Sequence, residues 1–73
     1  MDPQAAWQNL LDAYETRDGK VLCESAGALL DWLHSGGFPP QTIPGTTMSD
    51  GWNRAVAEAG CLTALAEAKP WDI

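Results

Sequence analysis

Two cysteines and one histidine are the residues of this chain best suited to nucleophilic, redox or metal chemistry. Cys23 and Cys61 belong to no Cys-x-x-Cys unit, so the spacing that closes a tetrahedral zinc site is absent. With His34 they make three possible ligands, but nothing in the sequence brings the three together. A cysteine within an amphipathic helix most often serves as a small core side chain, and both are read that way. His34 falls where a helix is expected to end, and a cation there complements the helix dipole. No Ser or Cys nucleophile stands in a local motif with it, Gly-x-Ser-x-Gly is absent, and Ser35-Gly36-Gly37 reads as a helix terminus. Asp12, Glu15, Asp18, Glu24, Asp31, Asp50, Glu58 and Glu67 are scattered along the chain. Paired acid catalysis needs two carboxylates in one cleft, and spacing shows no such pair, so a solvated acidic surface is the reading. Gly36-Gly37 leads into Phe-Pro rather than Gly-Lys-Ser/Thr, and no EF-hand loop is present. No catalytic, cofactor-binding or metal residue is assigned, and the chain is expected not to be an enzyme.

Composition narrows the classes further. The 73 residues carry 10 acidic and 4 basic side chains, a net charge of −6, which excludes a general basic surface for nucleic acid. At 45% hydrophobic residues with 4 tryptophans, the chain is too apolar to be disordered by composition. Two cysteines are too few for a disulfide scaffold. Met1-Asp2-Pro3-Gln4 lacks the basic start of a secretory signal, and the most apolar stretch, Ala26 to Leu33, is broken by Asp31. The expectation is a cytoplasmic protein with no membrane contact and reduced thiols.

The elements that must position these residues are helices. Asp2 suits an N-cap and Pro3 the first helical position, and Trp7, Leu10, Leu11 and Tyr14 follow a helical stripe. A first helix is therefore expected over residues 3–16, stopped by Asp18-Gly19. Leu22, Ala26, Leu29, Leu30 and Leu33 define a second over 20–34, and its broad apolar arc implies a central helix with two neighbours. Gly36 is expected in the left-handed conformation, with Phe38 folded back on the last turn. Residues 36–48 form a long Pro-rich loop, with Phe38, Ile43 and Met48 as apolar pins and a type II turn at Pro44-Gly45. A third helix is expected over 50–68, with Trp52, Val56, Ala59 and Leu62 on its core face and Pro70 beyond its end. Gly27 and Gly60 read as points of close helix approach, and Trp71 and Ile73 as a short apolar tail.

Trp7, Leu10 and Tyr14, with the small Cys23, resemble the spacing of one tetratricopeptide unit over less than half of the chain. Gly27 and Leu30 stand where that pattern has an aromatic and a small residue. The resemblance implies a helical hairpin and not membership of the family. Acyl carrier proteins are similar in size and acidity, but their Asp-Ser-Leu attachment motif is missing.

The expected fold is all-α: an antiparallel helical hairpin plus a third helix after the Pro-rich loop, in one small domain. The expected core is Trp7, Leu10, Leu11, Tyr14, Leu22, Ala26, Leu29, Leu30, Leu33, Trp52, Val56, Ala59 and Leu62. A chain of this size nearly cancels its burial against chain entropy, so a partner or self-association would aid stability. The leading expectation is a non-catalytic protein-interaction module or small accessory subunit, with Trp71, Phe38 and Ile43 meeting the partner and no direct contact with nucleic acid. Two alternatives are an acidic mimic that inhibits a nucleic-acid-binding protein, and a small metal- or thiol-dependent protein using Cys23, Cys61 and His34.

Overall fold

Helices α1 (Pro3–Thr16), α2 (Gly19–His34) and α3 (Asp50–Ala68) follow one another, and a 3-10 turn covers Lys69–Asp72. The structure is a computed structural model that describes residues 1–72; Ile73, expected in the apolar tail, lies outside them. The fold is all-α. Both α1 and α3 pack against α2 and barely touch each other, which is why α2 needs its broad apolar arc.

Local chemistry sets the helix ends. The Asp2 carboxylate accepts from the amides of Gln4 and Ala5 at 3.0 and 3.2 Å, with Pro3 in the first turn. At the other end of α1, Arg17 takes a left-handed conformation (φ 58°), and Asp18 donates its amide to the Ala13 carbonyl at 2.9 Å. Asp18 then caps α2 by accepting from the Val21 amide at 3.2 Å. The end of α2 is a Schellman motif: Gly36 donates to the Leu33 carbonyl at 3.2 Å and Gly37 to that of Trp32 at 2.9 Å, with Gly36 at φ 89°. Phe38 folds back as expected, its ring 5.7 Å from that of Trp32, whose indole N–H donates to the Phe38 carbonyl at 2.8 Å. A β-carbon on Gly37 would lie 2.3 Å from the Trp32 ring, so this motif requires glycine there.

Arg54 completes that terminus. Its two terminal nitrogens donate to the carbonyls of Leu33 and Gly37, both at 2.8 Å. A positive fork thus satisfies acceptors at the negative end of α2. His34 stands in the last turn of α2 as expected, and its ring also reaches Glu58 of α3, with Nε2 3.3 Å from Oε1.

The larger correction concerns the phase of α3. Trp52 and Leu62, expected in the core, are 49% and 52% exposed, Ala59 is exposed, and Val56 is half-buried. The face turned to the interior is Asn53, Ala57, Cys61, Ala64 and Ala68. Leu11 and Tyr14 of α1 are also exposed, and Leu30 is half-buried. The remaining core residues, Trp7, Leu10, Leu22, Ala26, Leu29 and Leu33, are buried as expected. Gly60 is a close approach, since a β-carbon there would meet the Trp7 ring at 2.8 Å. Gly27 is not, for nothing lies within 4 Å of the β-carbon it lacks.

Asn53 explains the phase. Its side-chain oxygen accepts from the amide and the hydroxyl of Thr42, at 3.1 and 2.9 Å. Its amide nitrogen donates to the Gln41 side chain and the Met48 carbonyl, both at 3.2 Å. Gln4 of α1 clasps the same loop, donating to the Gln41 carbonyl at 3.1 Å and accepting from its amide at 2.8 Å. The loop is therefore held chiefly by polar groups and by the buried Pro39 and Pro40, while Phe38 and Ile43 stay exposed. Gly45, at φ 80°, takes the position a type II turn reserves for glycine.

Asn53→Ala strands the buried Thr42 donors, and leaving such groups unpaired costs about 2–3 kcal/mol. Urea unfolding of this variant should show that loss. A change below about 0.5 kcal/mol, the range of ordinary surface substitutions, would mean that the amide does not hold the loop.

Candidate functional site

The groups first considered for chemistry do not converge. Cys61 lies on the buried face of α3, Cys23 is half-buried on α2, and neither forms a disulfide. His34 is exposed and paired with Glu58. Among the described residues, no three His, Cys, Asp or Glu side chains come together where a metal ion could sit. Burial, and then the charge of Glu58, push the Cys61 thiol up to about 11, opposite to the depressed value of a reactive thiolate.

The structure instead gathers apolar surface. Because α1 and α3 both lean on α2, a groove of about 350 Å³ opens between them. Trp7, Leu11 and Tyr14 form one wall, and Ala59, Gly60 and Thr63 the other. Gly60 keeps this groove open above the Trp7 ring. Glu67 borders it, accepting from the Tyr14 hydroxyl at 2.9 Å. That hydrogen bond, and the carboxylate charge behind it, hold the Tyr14 hydroxyl above its ordinary value. A second depression of about 250 Å³ shares Trp7 and Leu11 and is edged by Ile43. Elsewhere on α3, Trp52 and Leu62 are exposed.

The three residues expected to meet a partner are thus placed differently. Ile43 lines the second depression, among Gln4, Gln8 and Thr46. Phe38 is 63% exposed but engaged edge-on by Trp32. Trp71 does not project as a tail: its ring lies 5.4 Å from that of Tyr14, and the Arg17 guanidinium sits 4.9 Å from its centre. Sequence reasoning missed Trp52, Leu62, Leu11 and Tyr14 as surface residues. The spacing of 53, 57, 61, 64 and 68 is as regular as that of the bulky set, but its members are smaller and one of them, Asn53, is polar, so periodicity alone does not favour it.

Comparison with protein-family models, with curated proteins and with solved structures finds no match for this chain. Among the described residues, no helix is long and apolar enough to cross a membrane.

The Cys61 shift has a pH consequence with a definite sign. Its folded value lies above the ordinary 9.0, so the native state holds this proton more tightly than the unfolded chain. The contribution is intact below pH 9 and is lost as pH rises to about 11. Tyr14 adds a loss of the same sign above pH 10. Stability against denaturant should therefore fall between pH 9 and 11, and Cys61→Ala should remove the earlier part of the decline. A thiol reagent at neutral pH should modify Cys23 in the native state and Cys61 only after unfolding; native modification of Cys61 first would contradict its burial.

Proposed function

We propose that this chain is a non-catalytic protein-interaction module, acting as a small accessory subunit. One observation carries the reading: α3 is apolar on two faces, and the face bearing its large side chains points to solvent. Trp52 and Leu62 keep about half of their surface exposed, and Ala59 of the same helix borders the α1–α3 groove with Leu11 and Tyr14. Leaving these side chains half outside a small core forgoes about half of the roughly 1.5–3 kcal/mol that full burial of each contributes. A cover over this face recovers that energy on binding, and aromatic anchors are enriched at such interfaces.

The test is capture by the immobilised chain from a native extract, with Trp52→Glu and Leu62→Glu as variants. Both side chains keep about half of their surface buried, so each variant should lose about 1 kcal/mol of stability and still fold. Loss of a specific captured protein in both variants, with circular dichroism unchanged, supports the reading. Capture that is indifferent to both variants rules this surface out.

A further inference from the structure

We propose that the outer face of α3 pairs with the same face of a second copy, antiparallel across a two-fold axis at Ala59. The inference rests on the interaction reading above and names the occupant of its surface.

The outward residues Trp52, Ala55, Ala59, Leu62 and Ala66 recur at alternating steps of three and four. That is the spacing with which two helices pair along a common seam. The opposite face is already committed to α2 through Asn53, Ala57, Cys61, Ala64 and Ala68. The helix is thus built to be covered on both sides, and one side is uncovered.

Size identifies the cover. Trp52 and Ala66 stand at equal distances before and after Ala59. A two-fold axis there sets each Trp52 against Ala66 of the other copy and each Ala59 against its counterpart. It also sets Leu62 against Ala55 of the other copy, within one residue of stagger. Every bulky group on the seam meets an alanine, and the central alanines let the two backbones approach to about 8 Å. This agreement of the sequence with its own reversal is what an isologous interface requires and what an unrelated partner would not.

Charge agrees with the same register. The seam residues are uncharged, so pairing desolvates no ion along it. Antiparallel pairing opposes the two helix dipoles and brings Lys69 at the end of one α3 to Asp50 at the start of the other. Glu58, beside the seam near Ala59, is directed to His34 of its own chain at 3.3 Å. With a net charge of −6 per copy, pairing should strengthen as salt screens the mutual repulsion. The seam from Trp52 to Ala66, roughly 21 Å long, is short for a stable interface, which calls for a reversible dimer.

Sedimentation equilibrium of the whole chain from about 1 µM to about 1 mM, the weak-affinity range, should show a monomer–dimer equilibrium that shifts to dimer with added salt. Ala59→Glu and Leu62→Glu should each weaken association at least tenfold without altering the circular dichroism. Register is read by cross-linking in a Cys23→Ser background, where Cys61 is buried. Ala59→Cys should form a disulfide-linked dimer under mild oxidation, and Lys69→Cys alone should not. A monomer throughout that range, a dimer indifferent to both glutamates, or cross-linking at residue 69 instead of 59 would overturn the pairing. If the chain is monomeric while Trp52→Glu still abolishes capture from extract, the second copy is wrong and the interaction reading stands. If association fails and capture is indifferent to that variant, both fall.

Discussion

One buried side-chain amide sets the architecture of this chain. Asn53 faces the interior with both polar atoms satisfied, two bonds to each, all from the loop that joins α2 to α3. A buried amide left unpaired would be costly, so the loop and the helix can settle only together. Once Asn53 points inward, the helical repeat carries Ala57, Cys61, Ala64 and Ala68 inward with it. The same rotation carries Trp52 and Leu62 to solvent. The loop closure, the close contact of α3 with α2 and the apolar outer face are therefore consequences of one constraint.

The neighbouring residue extends it. Arg54 lies one position on and projects toward the end of α2, where it bonds the Leu33 and Gly37 carbonyls. Had α3 been turned to bury Trp52, neither Asn53 nor Arg54 would meet these partners. A long loop in so small a chain thus has a structural reason: its carbonyls and amides are the matching half of a polar lock. Gln4 adds a third point from α1, so the loop binds the start of the first helix to the start of the last.

Legibility in the sequence divided along the range of the forces involved. Helix ends depend on contacts within a few residues, and Asp2, Asp18, Gly36 and Phe38 act where local chemistry places them. The α1 and α2 cores were legible because each helix has one dominant apolar stripe; Leu11 and Leu30 lie toward its edges, and Tyr14 lies within it but in the last turn of α1, where it meets Trp71 and Glu67 instead of the core. The phase of α3 was not legible in that way. Two apolar faces compete there, and weighing side-chain size favours the bulky one. The deciding term is a set of hydrogen bonds between Asn53 and residues 41, 42 and 48, which no periodicity reports. The site followed the same rule: Cys61 as a core thiol was readable from its helix, whereas Trp71 was placed by contacts with Tyr14 and Arg17, more than fifty positions away.

The choice between the two faces of α3 is also an argument about partners. Turning the bulky face inward would bury more apolar area, and at about 25 cal/mol per Å² that favours the isolated monomer. Against it stand the six hydrogen bonds of Asn53 and Arg54 and the close fit of small side chains against α2. Hydrogen bonds of this kind contribute about 1 kcal/mol each in net terms, so the polar lock is of the same order as the forgone burial. Covering the outer face tilts that balance. It returns the apolar area to the ledger without disturbing the lock, whereas rotating the helix can have one only by giving up the other. The proposed pairing satisfies both, with α2 on one side of α3 and the same helix of a second copy on the other.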